Sequence, residues 1–103
     1  MNNENEKWLS LLGLAARARQ IVTGEELVIK EVRAGKVKLV LLSQDASENT
    51  KKKLLDKCRH YQVQVRLVGN RATLGQAIGK AERVVIGIKE DGFAKKMTAF
   101  IDQ

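Results

Sequence analysis

Apolar side chains recur along the first part of the chain at Trp8, Leu11, Leu12, Ala15 and Ala18, the i, i+3, i+4, i+7 spacing of one helical face, and predict a helix from about Asn5 to Ala18. A short extended stretch follows at Gln20 to Val22. Thr23-Gly24-Glu25-Glu26 then carries a start signal: Thr at the N-cap and Glu three residues later form a capping box, with Val22 and Leu27 as its hydrophobic staple. Gly35 stands where a left-handed residue would stop that helix. Val37 to Leu42 is almost uninterrupted in apolarity, as expected of a strand covered on both faces. Asp45-Ala46-Ser47-Glu48 repeats the cap signature with Asp45 as the cap. Beyond it, Ala46, Thr50, Leu54, Cys58 and Tyr61 share one helical face, opposite Lys51, Lys52, Lys53, Lys57 and Arg59.

Val63, Val65 and Leu67 alternate with Gln64 and Arg66, the period of a half-buried strand. Asn70 reads as the cap of a short helix whose inward residues are Leu74, Ala77 and Ile78 and whose stop is Gly79. Val84 to Ile88 is another apolar strand, and after Asp91-Gly92 the spacing of Phe93, Met97, Phe100 and Ile101 gives a last amphipathic helix. Helices alternating with strands predict an α/β fold, a three-layer α/β/α sandwich around a small mixed sheet of about four strands. With no proline and no linker-like stretch, residues 1–103 read as a single domain.

Composition changes this picture mainly through charge. Hydrophobic residues at 44% and charged residues at 30% are ordinary for a globular chain, but 19 Lys and Arg against 12 Asp and Glu leave a net charge of +7. Such a field attracts polyanions: nucleic acid, an anionic membrane or an acidic protein. The longest apolar run, Leu39 to Leu42, is far below the roughly 20 residues of a membrane span, so no membrane partner is expected. A lone cysteine, Cys58, and an acidic, polar start at Met1 to Glu6 point to a reducing compartment and no export, hence to the cytoplasm.

Acid, base or nucleophilic catalysis needs convergent groups, and the chain offers one His and one Cys. Cys58 and His60 are two apart on a predicted helix, so their side chains diverge by about 200° and cannot share a metal. Cys58 reads as core and His60 as surface. Neither phosphate-cradling glycine motif, GxxxxGK[ST] or GxGxxG, occurs, and Gly75 to Gly79 reads as a helix segment with small residues for close packing. Ser43-Gln44-Asp45 could face a ligand at the end of its strand, although a helix cap explains Asp45 more simply. No enzyme, cofactor or metal is expected.

The segment Gly24-Glu25-Glu26-Leu27-Val28-Ile29-Lys30, followed by Gly35 and then Val37-Lys38-Leu39-Val40, resembles the signature G-x-N-E-x-x-K, helix, K-L-V of the kink-turn-binding ribosomal protein family, the L7Ae and Gadd-type superfamily. Val68-Gly69-Asn70-Arg71-Ala72-Thr73-Leu74-Gly75 resembles the family's V-x-S-K-x-x-L-G. The resemblance runs from about Leu9 to Phe100 and is closest to the bacterial YlxQ group. It implies an α/β sandwich with the element order already read, and a non-enzymatic protein that binds structured, kink-turn-like RNA, with ribosomes or translation as context.

The site the resemblance implies comprises Gly24, Glu25, Glu26, Lys30, Arg33, Arg71, Lys80, Ala81 and Glu82. Physically, a helix opening at Gly24 presents unpaired N–H groups and a positive dipole end. Lys30 and Arg33 would reach flanking phosphates from the same helix. In the family, the residues at Glu26 and its neighbour read sheared G·A pairs, and the loop at Lys80-Ala81-Glu82 covers bulged nucleotides. Arg71 stands where the family usually has lysine. Glu26-Leu27 departs from the family's Asn-Glu pair, and a carboxylate can accept from guanine but repels phosphate. Glu26 is thus either the second half of the capping box or a base reader, and Leu27 a staple residue or a base contact. Lys51-Lys52-Lys53 is either a solvated helix face or a second RNA contact. The four aromatic residues fall on apolar helix faces, which does not support a stacking platform for single strands. The chain is expected to be monomeric. The competing expectation is a protein-interaction module of the same fold that binds an acidic partner with little RNA specificity.

Overall fold

The computed structural model describes residues 6–103. Its elements run α1 (Lys7–Arg17), β1 (Ile21–Thr23), α2 (Glu25–Arg33), β2 (Leu39–Leu42), α3 (Glu48–His60), β3 (Gln64–Leu67), α4 (Arg71–Ala77), β4 (Val85–Ile88) and α5 (Asp91–Ile101). The strands form one mixed sheet in the order β1-β4-β2-β3, with β2 and β3 parallel and β4 antiparallel to both its neighbours. The Asn5 end of the predicted first helix lies outside the described residues.

Strands β2 and β4 are buried at every position, and their alternating side chains build two cores. Leu39, Leu41, Ile86 and Ile88 face one side, where they meet Trp8, Leu12 and Ala15 of α1, Leu74 of α4 and Met97 of α5. Val40, Leu42 and Val85 face the other, against Val28 and Val32 of α2 and Leu54 and Cys58 of α3. A strand covered on both faces has no polar side, which is why Leu39 to Leu42 reads as a continuous apolar run. The three-layer α/β/α sandwich predicted from the sequence is the observed architecture.

Three helix starts carry side-chain caps: Ser47 accepts from the Thr50 N–H, Asn70 from Thr73 and Glu90 from Phe93. Two of the expected caps are corrected. Thr23 is the last residue of β1, and the N-cap of α2 is Gly24, at φ 94° and without a side-chain cap. Glu26 is therefore the second helical residue, the capping box does not form, and Leu27 is 49% exposed instead of stapled. Asp45 does not cap α3; it lies two residues ahead of the Ser47 cap and turns to Arg71. Tyr61 and Leu67, expected on apolar faces, are both 40% exposed, the first at the end of α3 and the second on edge strand β3, where Val68 takes the buried place.

Helix α4 carries a contact that fixes the loop behind it. Lys80 N–H donates to the Gly75 carbonyl and Arg83 N–H to the Arg71 carbonyl, so the segment from 78 to 83 folds back along the helix. A Cβ on Gly75 would stand 1.9 Å from the Ala81 carbonyl oxygen, so only glycine admits this approach. On the far edge, Arg66 of β3 forms a two-pronged ion pair with Asp102 at the end of α5, with both contacts 2.8 Å. The Arg66 guanidinium holds the Asp102 carboxyl below its usual range.

Gly75→Ala is expected to destabilise the fold by about 1–3 kcal/mol, because backbone overlap outweighs the roughly 1 kcal/mol that alanine adds to helix propensity. Urea unfolding with an unchanged midpoint would refute the close approach. Asp102, with its pKa lowered in the folded state, contributes stability that is present above the ordinary carboxylate pKa and lost as pH falls through the folded value. Asp102→Asn should therefore lower the melting temperature at neutral pH and flatten its dependence on pH in the acid range, as read by thermal melts from pH 7 down to 3. Parallel profiles for the two proteins would contradict the pair.

Candidate functional site

Two clefts open beside Thr23, which lines both. The first, about 560 Å³, gathers the turn from β1 into α2, the start of α3, the start of α4 and the segment entering β4. Thr23, Gly24 and Glu25 form one wall, Ser47 and Thr50 a second, and Arg71, Glu82 and Arg83 a third, over Val84 and Val85. The left-handed backbone at Gly24 lets β1 pass directly into α2, so that Glu25 points across to α3.

Glu25 is held there by two donors. Thr50 Oγ1 donates to Oε1 at 2.9 Å, and Lys53 Nζ lies 2.6 Å from Oε2. Ser47 Oγ in turn donates to Thr50 Oγ1 at 3.1 Å, so a hydroxyl relay runs along the cleft wall. The Lys53 ammonium first and the Thr50 hydroxyl second keep the Glu25 carboxyl below its usual pKa, and Glu25 raises that of Lys53. Glu25 is therefore ionised at neutral pH, with its charge offset by Lys53 and a lone pair on each oxygen still available.

Arg71 is a brace. Its backbone N–H donates to Asp45 Oδ1 at 3.0 Å, its Nε to Oδ2 at 3.3 Å and its Nη2 to the Asp45 carbonyl at 2.7 Å. The Ser43 hydroxyl, ahead of the Arg71 N–H and guanidinium, holds the Asp45 carboxyl below its usual pKa. Arg83 differs from Arg71: its guanidinium donates to the Glu82 carbonyl at 2.8 Å and meets no carboxylate among the described residues. Its charge remains available to an anion entering the cleft.

Of the residues singled out from the sequence, the fold brings Gly24, Glu25, Arg71 and Glu82 into the first cleft, and Lys80 into the second. Ala81 is exposed and lines neither, its carbonyl oxygen standing against the backbone of Gly75. Glu26, Lys30 and Arg33 are exposed on α2 outside both clefts. Lys30 follows Leu27 by three residues and so continues its side of the helix. Thr23, Ser47, Thr50 and Arg83 are not among the site residues expected from the sequence, and Lys53, weighed there as a solvated residue or a second RNA contact, instead pairs with Glu25. Ser47 and Thr50 share the i, i+3 spacing of a cap, which is how they could have been found, and Arg83 lies one residue beyond the loop as it was bounded.

Catalytic chemistry has little to work with. Burial pushes the Cys58 thiol up to about 11, far from a nucleophile's range, and exposed His60 packs its ring edge-to-face against Tyr61. Among the described residues, no three His, Cys, Asp or Glu side chains converge on a metal position, and no helix is long and apolar enough to cross a membrane.

The sequence profile of the ribosomal protein L7Ae/L30e/S12e/Gadd45 family matches residues 6–98. The RNA-binding protein YlxQ of Bacillus subtilis (strain 168) is 53% identical over 96 residues, 93% of this chain and 96% of that protein. The RNA-binding protein YlxQ of Enterococcus faecium is 47% identical over 103 residues, 99% of each chain. Among solved structures, a protein of unknown function from Bacillus halodurans C superposes with a TM-score of 0.93 at 66% identity, over 94% of this chain and 98% of that one. The Giardia lamblia 15.5kD RNA binding protein superposes at 0.81 over 99% and 88%, and at 23% identity it speaks for the fold alone. Matched nearly end to end by the family profile and by relatives of about half identity, the chain belongs to the ribosomal protein L7Ae/L30e/S12e/Gadd45 family.

Proposed function

We propose that this protein is a non-enzymatic RNA-binding protein that recognises a kinked, structured RNA of the kink-turn type through the first cleft, in a ribosomal or translation-linked setting. The observation that carries the reading is the convergence of three kinds of group in one cleft. An ionised acceptor, Glu25, is fixed in place by Thr50 and Lys53. An arginine, Arg83, is free of carboxylate partners among the described residues. The start of α2, finally, has no side-chain cap.

Each group suits a different part of RNA. A fixed carboxylate accepts from the N1–H and N2–H of guanine, which a phosphate cannot supply. Arg83 answers a phosphate oxygen, and the uncapped N–H groups at the opening of α2 answer either a phosphate or a base edge. In a regular A-form duplex the guanine N1–H is taken by Watson–Crick pairing, so a carboxylate can accept from N1–H and N2–H together only where that pairing is broken. Two near full-length relatives named as RNA-binding proteins support the same class of partner. The net charge of +7 supports it as well. Glu26 borders no cleft, so within this reading the acceptor is Glu25. Lys30 and Arg33, exposed on α2, serve flanking phosphates.

Kink-turn RNA should bind at least about tenfold tighter, roughly 1.4 kcal/mol, than the same RNA with its G·A pairs changed. Equal affinities would move the reading to general RNA binding or to an acidic protein partner. Arg83→Ala and Lys30→Ala should separate the two kinds of contact in salt titrations. Both should lower the slope of log affinity against log salt by about one phosphate contact. Lys30→Ala should weaken all RNAs alike, whereas Arg83→Ala should reduce the preference for the kinked form. Identical behaviour of the two variants on bent and straight RNA would show that the cleft does not read shape.

A further inference from the structure

The second cleft, about 550 Å³, adjoins the first across Thr23 but has a different chemistry. Its floor is apolar, made by Ile21 and Val22 of β1, Leu27 of α2 and Ile78 at the end of α4. Its rim carries Arg19, Lys80 and Lys89 against a single carboxylate, Glu31, which lies 3.7 Å from Lys89. Arg19 and Lys80 are thus cations without carboxylate partners among the described residues. Leu27 is half exposed to solvent there, on the helix that opens the first cleft.

A lone phosphate would gain nothing from that floor, and an apolar peptide would gain nothing from two unpaired cations. An unstacked nucleotide uses both, because its base has an apolar face and its flanking phosphates are anionic. The cleft falls within the roughly 300–1,000 Å³ range of small-ligand sites, and an arginine plane at the rim can stack on a base. Continuity matters too, since with Thr23 as a shared wall one RNA strand can pass from the first cleft into the second.

We infer that the second cleft receives a further unpaired nucleotide of the same RNA, its base between the floor of Ile21, Leu27 and Ile78 and the plane of the Arg19 guanidinium, and its phosphate at Lys80. This rests on the reading of the first cleft as an RNA site and extends it to a second nucleotide. Leu27 is then an apolar platform in this chain.

Arg19 provides a clean probe. It sits at φ 60° as the left-handed residue that ends α1, with its N–H bonded to the Ala16 carbonyl and the Gln20 N–H to that of Ala15. Glycine suits this conformation, so Arg19→Gly removes the guanidinium while keeping the turn. Leu27→Ala trims the floor at an exposed position. Both variants and the parent protein would be titrated with kink-turn RNA and with the same RNA carrying an abasic residue at each unpaired position in turn, in a double-mutant cycle. At one position the abasic change should weaken the parent about fivefold or more, yet weaken Arg19→Gly and Leu27→Ala by less than twofold.

Additive losses at every position would overturn the second nucleotide while leaving the first cleft intact, provided that the parent still prefers the bent RNA. A parent that shows no such preference would overturn both readings. Isoleucine methyl signals of Ile21 and Ile78 that shift with an acidic peptide but not with RNA would assign the cleft to a protein partner instead.

Discussion

The approach of Ala81 to the backbone of α4 at Gly75 determines where the rest of the site can stand. Strands β2 and β4 and the helices around them would pack much the same without it, since their two cores are made of other residues. What the approach adds is direction. With Lys80 N–H tied to Gly75 and Arg83 N–H tied to Arg71, the chain between them is anchored to α4 at both ends. Arg83 leaves it toward the first cleft and Lys80 toward the second. Arg71 is held in turn by Asp45, so the loop after β2, the start of α4 and the entry to β4 form one braced unit. A binding surface made of loops gains precision when each loop is tied to a helix, because less conformational entropy is lost on binding.

Charge follows the same logic of selective neutralisation. The chain has a net charge of +7, yet the first cleft contains two carboxylates, Glu25 and Glu82. A polyanion would be repelled if these stood alone. Glu25 is matched by Lys53 from the neighbouring helix, and the nearby Asp45 by Arg71, so neither presents a bare negative charge. Exposed ion pairs of this kind stabilise a fold little. Their effect here is positional: they keep an acceptor ionised and aimed, and among the described residues they leave Arg83 and its neighbour Glu82 as the charges of the cleft without an ion pair.

Much of this fold was legible because its signals were local. The buried run Leu39 to Leu42 and the cap at Asn70 depend on neighbours within a few residues, and the sandwich follows from the order of such elements. The site was less legible because its groups meet through the fold. Lys53 belongs to a run whose spacing fits a solvated helix face, and only the packing of α3 beside α2 brings it to Glu25, 28 residues away in sequence. The contact between Asp45 and Arg71 spans 26 residues, and the cap expected at Asp45 falls on Ser47. The motif resemblance supplied what periodicity could not, placing Gly24, Glu25, Arg71 and Glu82 in one site. Glu26, Lys30 and Arg33, which belong to the same motif, stand exposed on α2 outside the lining of both clefts.

The start of α2, with Gly24 and not Thr23 at its N-cap, shows why the distinction between a structural and a functional helix start matters. A threonine cap would have satisfied one of the first N–H groups of α2 with its own hydroxyl. Instead Thr23 completes the pairing of β1 with β4, opposite Ile86, and Gly24 makes the turn with no side chain to offer. Helices α3, α4 and α5 each close their first turn with a side-chain oxygen, so the chain does not lack capping residues in general. Serine or aspartate at residue 24 would cap the helix better but would be strained at φ 94°, and its side chain would project where the cleft is now open. The left-handed turn thus does two things with one residue. It lets the edge strand run straight into α2 beside α3, and it leaves the positive end of that helix accessible between an ionised Glu25 and an unpaired Arg83.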